Sequence, residues 1–72
     1  MSGKYPALTA REIVRVLRSN GFRVVSQSGS HQKWRHNNGR QVIVPVHGSK
    51  IVPLGTLKNI IEGSGIELEK FR

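Results

Sequence analysis

A histidine set directly behind a small flexible turn, in Gly29-Ser30-His31, opens a segment that continues Gln32, Lys33, Trp34, Arg35 and His36. In a strand, alternate side chains share a face, so His31, Lys33 and Arg35 point together and Gln32, Trp34 and His36 point the other way. The first set suits a phosphodiester: an imidazole moves a proton near neutral pH, and cations beside it hold the phosphate. His47, after Val44-Pro45-Val46, is a candidate second proton carrier, with a plain structural role as the competing explanation. Gly48-Ser49-Lys50 offers backbone amides and one cation to a phosphate, although it lacks the Gly-x4-Gly-Lys frame of a nucleotide-binding loop. His36 borders the Asn37-Asn38-Gly39 turn and is expected in solvent. Trp34 has a face on which a base can stack, but as the single tryptophan, turned away from His31, it is expected in the core.

Charge points to the same chemistry. The chain has 72 residues, 12 of them Lys or Arg against four Asp or Glu, for a formal net charge of +8. From Ile13 to Ile61 there are eight basic residues (Arg15, Arg18, Arg23, Lys33, Arg35, Arg40, Lys50 and Lys58) and no acidic one. Such a block attracts polyanions, and nucleic acid is the commonest in a cytoplasm. The same distribution argues against metal catalysis, because two-metal nucleases gather several carboxylates and this stretch has none. Glu12, Glu62, Glu67 and Glu69 are better explained by helix capping and surface solvation. Zinc lacks its usual ligands, with no Cys and three dispersed histidines. No metal and no other cofactor is expected. A nuclease with these residues must work by proton transfer and electrostatics. RNA permits that because its own 2′-hydroxyl can attack, whereas DNA has no such group. With no cysteine, no apolar run near the roughly 20 residues of a membrane span, and no signal-peptide pattern, a cytoplasmic protein without a membrane partner is expected.

The first eight residues, with Tyr5-Pro6, read as a lead-in to the elements that must position these side chains. Thr9 and Glu12 are spaced as a capping box, Leu8 and Ile13 as a hydrophobic staple, and Gly21 stands where a helix stops. Between them Ala10, Ile13, Val14 and Leu17 form an apolar stripe, with Arg11, Arg15 and Arg18 opposite. Phe22 to Ser28, His31 to Asn37 and Arg40 to Val46 read as strands, the last two joined by a two-residue Asn38-Gly39 turn. Pro45 lacks an amide donor and belongs near a strand end or on an edge. His47 to Val52 is a loop. A second helix begins between Pro53 and Thr56, buries Leu54, Leu57, Ile60 and Ile61, and ends at Gly63-Ser64-Gly65. Ile66 to Phe71 adds one helical turn, with Phe71 against the core. The pattern predicts one domain over residues 1–72: an α+β, two-layer α-β-β-β-α fold whose three-stranded antiparallel sheet carries both helices on one face. The other face is left for a partner.

Assembled in this order, the features resemble the HicA family of toxin–antitoxin ribonucleases, from about Thr9 to Phe71. The resemblance is carried by Leu17-Arg18-Ser19-Asn20-Gly21-Phe22, Gly29-Ser30-His31, Arg35-His36, Gly39-Arg40, Val44-Pro45-Val46-His47-Gly48 and Gly55-Thr56-Leu57-Lys58-Asn59-Ile60-Ile61. It implies a double-stranded-RNA-binding-domain-like fold, cleavage of mRNA, and inhibition by a HicB-type antitoxin that covers the active histidine. The family's catalytic histidine falls on His31. The histidine of its Pro-x-His stretch falls on His47, to which no catalytic role is carried over. The expectation is a metal-independent endoribonuclease toxin in which His31 deprotonates a 2′-hydroxyl. Lys33, Arg35 and Lys50 would hold phosphate, with Ser30 as a further contact, and the general acid is left open among His47, Lys33 and water. Two rivals share the fold: a non-catalytic RNA-binding module, and a domain whose basic face docks an acidic protein. Against the former, the helices lack the Lys-rich N-terminus with which double-stranded-RNA domains grip phosphates.

Overall fold

The computed structural model describes residues 4–72, so the first three residues of the lead-in and of the predicted domain lie outside it. Helix α1 (Ala10–Ser19) starts as its spacing requires. Glu12 Oε1 accepts from the Thr9 amide at 2.9 Å, and the Glu12 amide donates back to Thr9 Oγ1 at 3.3 Å. Two amide groups that a helix start leaves unpaired are thereby satisfied. Ala10, Ile13 and Leu17 are buried, and Val14 is half-buried beside them. Strands β1 (Phe22–Ser28), β2 (His31–His36) and β3 (Gln41–Pro45) follow as an antiparallel meander in the order β1-β2-β3. Helix α2 (Leu54–Ser64) and a 3₁₀ turn (Leu68–Phe71) complete the α-β-β-β-α layout. The apolar faces of both helices, Phe22, Trp34, Val42, Val44, Val52 and Phe71 form one buried cluster. Trp34 is 2% exposed at its centre.

Two irregularities decide which side chains face this core. The β2–β3 connection is not a two-residue turn. The His36 amide donates to the Arg40 carbonyl at 2.8 Å across Asn37-Asn38-Gly39, and Gly39 takes φ +94. This is the three-residue hairpin that ends in a left-handed residue. The strands accordingly end at His36 and begin at Gln41, inside the predicted bounds. The extra turn residue sets Trp34 opposite Val42 and Lys33 opposite Ile43. Val42 and Val44 are therefore buried, while Ile43 is 44% exposed on the other face.

The second irregularity is a bulge in β1 between Val24 and Ser26. From the Gly29-Ser30 turn, Ser28 pairs with His31 and Ser26 with Lys33, and unbroken alternation would carry Arg23 to His36. The bulge instead pairs Arg23 with Arg35 and Phe22 with His36, so Phe22 enters the core.

His36 is not a solvent side chain. It is half-buried with its ring 5.2 Å from that of Phe22, edge to face, and its Nδ1 accepts the Asn38 amide at 2.9 Å. In α2, Leu57, Ile60, Ile61 and Ser64 are buried, whereas Leu54, at the helix start, is 57% exposed. Buried Ser64 is satisfied locally: its hydroxyl donates to the Ile61 carbonyl at 2.8 Å and accepts the Ile66 amide at 3.0 Å.

Candidate active site on the open sheet face

Both helices pack on the Trp34 side of the sheet, which leaves the His31 side uncovered. Register places Arg23, Ser26 and Ser28 of β1, His31, Lys33 and Arg35 of β2, and Gln41, Ile43 and Pro45 of β3 on this face. Arg23 lies directly opposite Arg35, and like charges so placed repel by a few tenths to about 1 kcal/mol. Neutral amides hold both guanidinium groups. Arg35 donates through Nε and Nη2 to Gln41 Oε1 at 3.1 and 2.9 Å, and Arg23 Nη1 donates to Asn37 Oδ1 at 2.9 Å. Among the described residues the one ion pair is Arg72–Glu69, far along the chain, so the cations of this face carry no carboxylate partner.

A cleft of about 540 Å³ runs between β3 and α2 at the edge of this face, and His31 and His47 both line it. Ile43 and Pro45 supply an apolar wall, and Thr56, Asn59 and Ile60 supply the helix side. An adjoining cavity of about 220 Å³ shares Pro45, His47 and Pro53 with the cleft and is lined by Lys50 as well. His47 thus shares a cleft with His31, and Lys50 lines the adjoining one, although they stand 16 and 19 positions further along the chain. His31 is exposed at the mouth of the hairpin. Ser30 is half-buried in that turn, where its carbonyl accepts the Val46 amide at 2.6 Å and ties the turn to the end of β3.

Of the residues expected from sequence, His31, Lys33 and Arg35 share a strand face, His47 joins His31 in one cleft, and Lys50 lies one cavity away. Sequence reasoning missed Arg23, Ser26 and Ser28. Their signal is the Val24-Val25 doublet, where a polar–apolar alternation slips by one residue. It also missed Gln41, Ile43 and Asn59, which only the β3–α2 packing brings to the cleft. Among the described residues no three His, Cys, Asp or Glu side chains form a group that could hold a metal ion. No described helix is long and apolar enough to cross a membrane.

The arrangement offers two imidazoles on one cleft beside a cationic face, which is the equipment for proton transfer at a phosphodiester. Comparison with curated proteins gives no match. The family model described as the HicA toxin of bacterial toxin-antitoxin matches residues 10–66, from the first residue of α1 to just past the end of α2. That span includes every element of the site and well over half of the chain, and the chain belongs to the HicA toxin family.

Proposed function

We propose that this toxin is an endoribonuclease that cuts mRNA without a metal ion, by histidine-assisted attack of a 2′-hydroxyl. The observation that carries the reading is that His31 and His47 line one cleft at the end of a cationic face. His31 takes the proton of the 2′-hydroxyl, and the resulting oxygen attacks the neighbouring phosphorus. The bond from phosphorus to the 5′-oxygen breaks, leaving a 2′,3′-cyclic phosphate on one product. The departing oxygen needs a proton, and His47, lining the same cleft, is better placed to give it than Lys33, which does not line that cleft. Lys33, two residues along the same face, stabilises the charge that develops on the phosphoryl oxygens, and Arg35, about 13 Å from His31 along the strand, holds a neighbouring phosphate. Lys50 holds a neighbouring phosphate, and the Ser30 hydroxyl is a further contact. A HicB-type antitoxin, covering His31, would be the natural inhibitor of such a toxin, and the cytoplasm its place of action.

The deciding experiment replaces His31 by Ala. This exposed side chain can be removed without opening the core, so folding and most RNA affinity should remain while cleavage falls by about 10² to 10⁴. Wild-type cleavage should persist in excess EDTA, and a 2′-deoxy substitution at the scissile nucleotide should block it. Cleavage by His31→Ala at the wild-type rate would remove His31 from the mechanism, and strict dependence on Mg²⁺ would sink the metal-free route. RNA binding with no cleavage by the wild type would favour the non-catalytic module instead.

A further inference from the structure

The cleft beside His31 has features that proton transfer does not use. β3 is an outer strand, paired with β2 alone. The Val46 amide donates inward to the Ser30 carbonyl, and the Arg40 carbonyl accepts inward from His36. By strand alternation Val42 and Val44 also face β2, and Gln41 and Ile43 turn their amides and carbonyls outward, toward the cleft. Across from them stands Asn59 of α2, exposed and outside the side-chain hydrogen bonds that tie down its neighbours, such as Arg35–Gln41 and Arg40–Gly63. Between the two walls lie apolar surfaces of Ile43, Pro45 and Ile60.

These walls suit a small planar ligand better than an added strand. A strand needs a row of outward amides, and the row here ends after Ile43, because the next outward position is Pro45. At the other end α2 closes on β3. A Cβ on Gly63 would lie 3.1 Å from Val42 Cγ1 and 3.9 Å from the Gln41 carbonyl. What remains is a short slot with apolar sides, backbone donors and acceptors on one wall and a carboxamide on the other. Unstacked nucleobases are held by such means, their faces packed and their edges hydrogen-bonded. Since His31 lines the same cleft, a phosphate held at His31 leaves the adjoining base within reach of the slot.

We infer that this cleft receives one nucleobase flanking the scissile phosphate, packed on Ile43 and Pro45 and read along its edge by Asn59. The inference rests on the ribonuclease reading above and adds sequence discrimination to it. Cut sites in a randomised RNA pool should show a base preference at one position beside the break, of roughly 5- to 150-fold for a good two-point contact. Asn59→Ala should flatten that preference, and Lys58→Ala, whose ammonium lies 5.6 Å from the Tyr5 ring, should not.

A second measurement is independent of cleavage. His31→Ala protein labelled with ¹⁵N is titrated with each of the four nucleoside 3′-monophosphates, and amide shifts are mapped. The expected responders are Ile43 and Asn59. Cleavage without any flanking preference, or a preference that survives Asn59→Ala, overturns the inference and leaves the ribonuclease intact. If the wild type cuts no RNA, the functional reading falls; shifts at Ile43 and Asn59 would still sustain a base-binding cleft, and shifts elsewhere or none would overturn it. Protection of the Ile43 amide by a protein partner, with no response to nucleotides, would assign the edge to strand pairing and likewise overturn it.

Discussion

Replacing Gly21 by Ala tests whether His36 is a structural side chain. Gly21 adopts φ +88, a left-handed conformation that costs an L-residue roughly 1–2 kcal/mol. A Cβ there would also lie 2.8 Å from His36 Nε2 and 3.0 Å from Cδ2, inside van der Waals contact. The imidazole has little freedom to withdraw, being packed against Phe22 and hydrogen-bonded to the Asn38 amide. Displacing it forfeits the hydrogen bond, about 1 kcal/mol, and part of an aromatic contact of about 0.5–1.5 kcal/mol. Gly21→Ala should therefore cost about 2.5–4.5 kcal/mol in the wild type. In a His36→Ala background only the backbone penalty remains, so the coupling should be about 1.5–2.5 kcal/mol. A domain of this size has roughly 4–11 kcal/mol of stability, so every member of the cycle is measurable when the wild type holds more than about 5 kcal/mol. Urea unfolding followed by Trp34 fluorescence gives the four values. Additivity within about 0.5 kcal/mol would refute the steric argument, because His36 would then not be in Gly21's way.

Two further outcomes follow from contacts in the core and on the open face. Trp34 is 2% exposed, donates Nε1–H to Gln32 Oε1 at 3.1 Å and carries the Arg18 guanidinium 5.3 Å from its ring. Trp34→Ala should cost about 3–5 kcal/mol and Trp34→Phe about 1–2 kcal/mol, read by far-ultraviolet circular dichroism; no loss in Trp34→Phe would deny the hydrogen bond and the larger ring any role. On the open face, Lys33→Ala, Arg35→Ala and Lys50→Ala, each in the His31→Ala background, should lower the salt slope for a non-cleavable 2′-deoxy oligonucleotide by roughly 0.7 per lost phosphate contact. Unchanged affinity and slope in all three would move the RNA to the Arg11, Arg15 and Arg18 face of α1.

The capping box at Thr9 and Glu12, the burial of Trp34 and Phe71 and the common face of His31, Lys33 and Arg35 were legible because each depends on spacings within one element. Register was not legible. A two-residue turn at Asn38-Gly39 would have set Ile43 opposite Trp34 and placed Val42 and Val44 beside His31. All three side chains are aliphatic, so composition does not choose between the arrangements, and a slip of one residue exchanges every side chain between faces. Left-handed Gly39, together with the Arg40 amide donating to Asn38 Oδ1 at 2.9 Å, favours the longer turn. Likewise the burial of Ser64 was not legible, because it depends on a hydroxyl that finds two backbone partners where the chain leaves α2.

Those two register choices also assemble the candidate site. The longer turn brings Ile43, Pro45 and the chain leading to His47 onto His31's face, and the β1 bulge brings Arg23 opposite Arg35. The result differs from the basic face of α1 in one physical respect. On the helix, Arg18 lies over Trp34, and among the described residues no side-chain hydrogen bond orients Arg11 or Arg15. On the sheet, Gln41 and Asn37 orient Arg35 and Arg23 through neutral oxygen acceptors. An amide fixes a guanidinium without cancelling its charge, whereas a carboxylate does both. The open face therefore presents oriented, uncompensated cations whose mutual repulsion a bound polyanion relieves. On the proposed ribonuclease reading this suits the sheet better than α1 to an RNA backbone, since the phosphates meet donors already in position.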